Sequence, residues 1–148
     1  MKFRFDKPTC QNIRKSLRKE WIETNGLGDY ASSSLICCNT RKYHGLLVAD
    51  LESPAGGHVL LSSLEESLFV GGRELCFSCR KHPGVFYPRG NEHLEEMDAG
   101  EWPVFRYRFG EVTLTRELML IPGHRLLLVR YEVRGTAPDT PPVVLRVK

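Results

Sequence analysis

Long apolar runs are missing from this sequence. None approaches the roughly 18 consecutive apolar residues that a membrane-spanning helix needs, so we expect no membrane partner. The first residues, MKFRFDKPTCQNIRK, lack the apolar core of a secretory signal. The sequence therefore predicts a protein of the cytoplasm.

An excess of charge of one sign is also missing. A formal net charge of +3 over 148 residues is too small to indicate binding to nucleic acid or to an anionic membrane surface. With 41% hydrophobic and 26% charged residues, the composition is typical of a globular protein. The length suits one domain with a sizeable core, so we expect residues 1–148 to form a single domain.

Cysteine is present in an odd number that does not suit a disulfide framework. The five cysteines are Cys10, Cys37, Cys38, Cys76 and Cys79. Without an export signal, free thiols are favoured. The CxxC spacing of Cys76 and Cys79, joined by Cys37 and Cys38, could complete a four-sulfur zinc site. Neighbours in a strand point to opposite faces, however, and no helix start acidifies a thiol here. We therefore expect no metal, redox site or cofactor.

Catalytic motifs are absent as well: the sequence has no P-loop, GxGxxG, GxSxG or HExxH. Neighbouring carboxylates occur at Glu52, at Glu65–Glu66, and at Glu95–Glu96 with Asp98. The pair at 65–66 is predicted to lie in a strand, and the group at 95–98 in a solvated loop. Neither arrangement suits acid–base chemistry by two facing carboxylates. We predict no catalytic residue in this chain.

What the sequence does contain is strand patterning. The run 58–70 is expected to form one long strand that turns at Gly71–Gly72. Apolar residues then alternate with polar ones over 105–109, 112–120 and 127–133, with turns at Gly110–Glu111 and Pro122–Gly123. This period of two predicts a meander of antiparallel strands. The fold class is therefore all-β, an antiparallel sandwich or barrel.

Three segments differ from this pattern. Residues 8–23 carry Ile13, Leu17 and Trp21 at helical spacing, which predicts a short helix capped by Thr9 or Asn12. Residues 83–101 are polar and rich in glycine and proline, so they are expected to form a long connection. Residues 143–147 resemble a strand that has only begun, so the domain is expected to be incomplete at its C-terminus.

Three blocks, 20-EWIETNGLGDYASSS-34, 39-NTRKYHGLLVA-49 and 59-VLLSSLEE-66, occur in this order. Together they resemble the N-terminal domain of the bacterial and archaeal glycogen debranching enzymes of the amylo-α-1,6-glucosidase type. The likeness extends through the hairpins at 110–133 and covers nearly the whole chain from Glu20. Asp29 stands where that family usually has glycine, and Lys42 where it commonly has arginine.

The resemblance implies a β-sandwich domain (a supersandwich) that precedes a large (α/α)6 barrel. In the family, the barrel carries the catalytic carboxylates and hydrolyses α-1,6 branch points with inversion. The implied partners are an α-glucan, such as glycogen or a limit dextrin, and the barrel of the same polypeptide. That barrel is absent from this chain, so the chain alone is expected to be inactive.

The two polar segments that carry the likeness are also the candidate binding region. The candidate substrate-binding or domain-interface residues are Asn25, Tyr30, Asn39, Arg41, Lys42, Tyr43 and His44. Planar polar groups suit sugar hydroxyls, and aromatic rings suit the apolar face of a pyranose. Two interpretations stay open: these residues line a substrate cleft, or they form a hydrogen-bonded seam against the barrel. Rival readings of the whole chain are a stand-alone glucan-binding module and a purely structural docking domain.

Overall fold

The structure is a computed structural model that describes residues 3–51, 56–135 and 142–148. Within these ranges the helices are α1 (Lys7–Gln11), α2 (Ile13–Ser16) and a 3₁₀ helix (Gly90–His93). The strands are β1 (Phe3–Phe5), β2 (Glu20–Thr24), β3 (Tyr30–Ser34), β4 (Gly45–Asp50), β5 (Gly57–Leu61), β6 (Glu66–Val70), β7 (Arg73–Cys76), β8 (Cys79–His82), β9 (Val85–Arg89), β10 (Leu94–Ala99), β11 (Pro103–Phe109), β12 (Val112–Leu120), β13 (Leu127–Arg134) and β14 (Val144–Val147).

These strands pair in an antiparallel sense throughout the described residues. The five-stranded sheet has the order β1-β10-β11-β12-β13, and the four-stranded sheet the order β2-β3-β4-β5. A three-stranded sheet, β14-β6-β7, and the β8–β9 hairpin complete the architecture. The predicted all-β, antiparallel, sandwich-like fold is confirmed.

The core lies on the inner face of the five-stranded sheet. Phe105, Tyr107 and Leu114 are 0–2% exposed and pack with residues of the other sheets in one cluster. The alternating burial of β11 and β12 follows the alternation in the sequence, as a pleated strand requires. Gly110 makes the predicted turn between them with a φ of 64°, a left-handed conformation that glycine adopts without a Cβ clash.

The prediction of a long polar connection at 83–101 is wrong. This segment contains β9, the 3₁₀ helix and β10, and β10 lies inside the five-stranded sheet between β1 and β11. A bulge between Leu94 and Glu96 breaks the period of two, so that Leu94 and Met97 both face the core at 0% exposed. Glu96 does not lie in a solvated loop; it pairs with Arg4 and Arg106 from strand β10.

The prediction of one strand over 58–70 is also wrong. The chain leaves the four-stranded sheet after Leu61 and enters the three-stranded sheet at Glu66. Side chains from elsewhere hold the crossing segment: Asn39 donates to the carbonyl of Ser62, and Ser78 to that of Leu64. Apolar pattern alone does not reveal a strand that changes sheets.

The N-terminal helix is shorter than predicted and divided in two. Asn12 caps α2 as expected, whereas Asp6 caps α1 through the amide of Thr9. Trp21 belongs to β2 and pairs with Ser33, so its helical spacing from Leu17 is coincidental. No helix in the described ranges is long and apolar enough to cross a membrane.

Candidate functional site

The turn between β3 and β4 carries most of the predicted site residues, and its two ends are anchored. At the first end, Asn39 accepts a hydrogen bond from Ser33 Oγ at 2.7 Å. Its amide nitrogen donates to the carbonyl and to the hydroxyl of Ser62, at 2.9 and 3.3 Å. Asn39 therefore ties this turn to the segment that crosses between sheets.

His44 anchors the second end of the turn. Its side chain is 3% exposed, and Nδ1 accepts a hydrogen bond from the amide of Thr40 at 3.1 Å. The proton therefore lies on Nε2, which sits 3.5 Å from Glu20 Oε1. Burial lowers the pKa of His44, and the charge of Arg41 adds to this against the opposing effect of Glu20. The neutral imidazole thus acts as a fixed acceptor inside the turn.

Arg41, Lys42 and Tyr43 project outward between these anchors, and we call them the tip. All three are exposed, Tyr43 by 49%. Lys42 Nζ lies 5.1 Å from the centre of the Tyr43 ring, within cation–π range. Arg41 pairs with Glu20. Tyr30 supports the tip from β3, because its hydroxyl donates to the carbonyl of Tyr43 at 3.2 Å.

Asn25 belongs to a different network. It is 2% exposed, its Oδ1 accepts from the amide of Leu27, and its Nδ2 donates to Asp29 at 2.7 Å. The same nitrogen donates to the carbonyl of His124 at 3.0 Å, and the amide of Gly123 donates to the carbonyl of Asn25 at 2.8 Å. The structure therefore joins Asn25 to the β12–β13 turn.

Asp29 is the centre of that network. It is fully buried, and both carboxylate oxygens accept from Arg125 Nε, at 3.1 and 3.0 Å. Its Oδ1 also accepts from the amide of Asp50 at 2.9 Å. The hydrogen bond from Arg125 is the main reason that the pKa of Asp29 lies below its ordinary value. Among described residues other than glycine, only Cys37 has a positive φ, so the turn places no left-handed demand on Asp29.

A second charged pair lies in the core. Arg116 is 3% exposed and Glu66 is 2% exposed, and their side chains form an ion pair. The hydroxyl of Tyr131 donates to the other oxygen of Glu66. The guanidinium of Arg116 stacks 4.5 Å from the centre of the Phe105 ring and donates to Cys37 Sγ at 3.1 Å. In the sequence, Glu66 ends the block 59–66, and Arg116 stands at an inward position of the β12 alternation.

The carboxylates do not form a facing catalytic pair at 65–66. Both oxygens of Glu66 are engaged by Arg116 and Tyr131, whereas Glu65 is exposed and pairs with Arg80 at 2.6 Å. Glu52 lies outside the described residues. The arrangement around Glu66 stabilises a buried charge and offers no free oxygen for proton transfer.

The five cysteines are free thiols and are divided among different surroundings. Cys38 and Cys79 are both buried and share a hydrogen bond, which lowers the pKa of Cys38 and raises that of Cys79. Cys76, the other half of the CxxC spacing, ends β7. The described ranges contain no group of three or more His, Cys, Asp or Glu residues placed to hold a metal ion.

The fold and these hydrogen-bonded networks define an all-β sandwich domain with a polar, partly exposed turn at one sheet. The family model for the N-terminal part of glycogen debranching enzymes matches residues 19–148, and the chain belongs to that family. No curated protein and no solved structure matches the chain. The family resemblance in the sequence is thereby confirmed, over the range in which it was expected.

Proposed function

We propose that this chain is the N-terminal domain of an enzyme that hydrolyses α-1,6 branch points of glycogen-like α-glucans. The family membership of residues 19–148 supports this role. A downstream helical barrel supplies the catalytic carboxylates in this proposal, and the present domain supplies none. A cytoplasmic location is part of the proposal and is supported by the five free thiols.

We assign the contact with glucan to the tip. The exposed ring of Tyr43, flanked by Lys42 and Arg41, carries this proposal. A pyranose presents apolar C–H groups on its face and hydroxyls on its edge, so an aromatic face beside cationic donors matches both. Asn39 and His44 act as anchors, because the Asn39 amide bonds to Ser33 and Ser62 and His44 Nδ1 accepts from the amide of Thr40. Asn25 takes no part in the contact, since it is bonded to the β12–β13 turn.

The test is retardation of the chain in a native gel that contains glycogen. We expect Tyr43→Ala to weaken the retention about tenfold, because truncating an aromatic contact of this kind removes more than about 1 kcal/mol. Phe3→Ala is the matched control, since Phe3 is an exposed ring (54%) on a different sheet. Equal migration of wild type with and without glycogen would remove glucan binding by this domain.

Docking against the barrel is the second candidate function. Leu126 immediately precedes the edge strand β13 and Leu128 lies in it, and both are about half exposed (54% and 49%). Leu128→Asp should lower binding of an apolar fluorescent dye while glycogen retention stays unchanged. Unchanged dye fluorescence would contradict an apolar docking surface at this strand.

A further inference from the structure

A polar cavity of about 270 Å³ lies among the four-stranded sheet, the three-stranded sheet and the β8–β9 hairpin. Its floor holds the buried pair Glu66 and Arg116. The polar side chains at its rim are Ser62, Ser63, Arg80, Lys81 and His82. The proposed glucan contact at the tip uses none of these rim residues, of which Ser62 and Ser63 belong to the sequence block 59–66.

The rim carries the uncompensated charge of the cavity. On the floor, Glu66 is neutralised by Arg116 and also accepts from Tyr131. At the rim, Arg80 pairs with Glu65 at 2.6 Å. Lys81 is exposed and forms no salt bridge among the residues that the structure describes. The electrostatic potential at the opening of the cavity is therefore positive, and it favours an anion.

The two serine hydroxyls at the rim each accept a hydrogen bond from within the domain. Ser62 Oγ accepts from Asn39 Nδ2, and Ser63 Oγ accepts from Arg80 Nη2, both at 3.3 Å. Each hydroxyl is thus used as an acceptor, and its proton is left to donate. Two hydroxyl protons beside an ammonium and a guanidinium form a set of donors that suits a ligand rich in acceptor oxygens.

A local irregularity brings three consecutive basic residues to the same cavity. Side chains of a regular strand alternate between its two faces, so Arg80, Lys81 and His82 would not all line one cavity. The pairing of β8 with β9 shifts register between Cys79 and Lys81. Bulges of this kind redirect side chains, and all three residues line the cavity.

We propose that this cavity binds a small phosphate-bearing molecule, either inorganic phosphate or the phosphate monoester of a small polyol. A phosphate dianion presents several acceptor oxygens to the ammonium, the guanidinium and the hydroxyls. The volume of about 270 Å³ lies just below the roughly 300–1,000 Å³ of common ligand pockets, which suits a small ligand. The site is separate from the tip and does not depend on the proposed glucan contact.

The test is isothermal titration calorimetry of the whole chain in phosphate-free buffer. The ligands are inorganic phosphate, glycerol 3-phosphate and, as the uncharged control, glycerol. We expect saturable binding of the two phosphates that weakens as salt is added. Lys81→Ala should weaken this binding about tenfold. Lys15→Ala is the matched control, since Lys15 is an exposed lysine on α2, and it should bind as wild type does.

A second variant separates the hydroxyls from the charge. Ser63→Ala removes one donor without changing the net charge, and we expect about fivefold weaker binding.

Tighter binding of glycerol 3-phosphate than of inorganic phosphate assigns an ester as ligand, and equal binding assigns the free ion. Absent saturation with both phosphates, equal affinity in Lys81→Ala, or equally tight binding of glycerol would overturn the proposal. Tyr43→Ala should bind phosphate normally, so failure here and failure at the tip are distinguishable.

Discussion

Two polar loops of this domain expose different kinds of side chain. In the loop at 25–29 the two polar side chains, Asn25 and Asp29, are turned inward at 2% and 0% exposed, and the exposed positions between them are Leu27 and two glycines. The loop at 39–44 holds only its ends inward, through Asn39 and His44, and exposes its middle. A dense polar segment can therefore build the scaffold at some positions and present side chains at others, and only the bonding partners distinguish them.

The largest effect on this comparison is expected from removing the carboxylate of Asp29, the centre of the network in the loop at 25–29. Asp29→Ala deletes acceptors for Asn25, Arg125 and the amide of Asp50. We expect it to lower the free energy of unfolding by about 3 kcal/mol, and Tm by roughly 10 °C. Thermal unfolding followed by circular dichroism measures this. Glu101→Ala, at an exposed carboxylate, is the control, and an equal effect in both variants would contradict the scaffold role of Asp29.

The same carboxylate predicts a pH dependence. Its pKa in the folded state lies below the ordinary value, chiefly because of Arg125. The unfolded chain therefore binds the proton more readily, and the contribution of Asp29 to stability is present above about pH 4 and is lost as pH falls through the folded pKa. Urea unfolding between pH 3 and 6, wild type against Asp29→Asn, tests this. Parallel curves for the two proteins would rule out the linkage.

A change at His44, which anchors the loop at 39–44, should lower the free energy of unfolding by less. His44→Leu removes the acceptor for the amide of Thr40, and we expect a loss of about 1 kcal/mol. Because the pKa of His44 is lowered, chiefly by burial, its contribution is present above about pH 6.5 and declines as pH falls through the folded pKa. The exposed His124 supplies the control variant, His124→Leu, and denaturant unfolding at pH 5 and 8 shows which histidine matters.

The tip should have the smallest effect on stability. Tyr43→Ala is expected to change the free energy of unfolding by less than about 0.5 kcal/mol, as exposed positions away from a network do. The ring of Tyr43 contacts Lys42 and is not buried in the core. A thermal scan of the variant used in the glycogen gel checks this, and a loss above about 2 kcal/mol would place Tyr43 with the anchors.

The regular part of the fold was predictable from the sequence, and the irregular part was not. The period of two in 105–109, 112–120 and 127–133 identifies β11, β12 and β13, because β11 and β12 each have one buried face and β13 has a partly buried one. The bulge at Leu94 and Glu96 hides β10 from this pattern, and the change of sheet after Leu61 hides the division between β5 and β6. Both are tertiary events that local alternation does not encode.

The position of the candidate region was predictable, but the role of each side chain in it was not. The segments TNGLGD and NTRKYHG stand out by their density of polar residues. The partner of Asp29 lies 96 residues away at Arg125, and that of Asn25 lies 99 residues away at His124. Nothing in a local window reveals such partners. The basic run at 80–82 was visible, yet its convergence on one cavity depends on the register shift in the β8–β9 hairpin.

The same long-range partners have a consequence for how the chain acquires its structure. Strand β1 pairs with β10, and the loop at 25–29 is completed by residues of the β12–β13 turn. During synthesis, β1 and this loop therefore wait for about a hundred more residues before these partners exist, whereas β2 finds its partner β3 within the next few residues. Folds dominated by contacts between distant residues form slowly. Segments that wait for distant partners stay open to aggregation and to chaperones during that interval, so β1 and the loop at 25–29 are the vulnerable parts of the nascent chain.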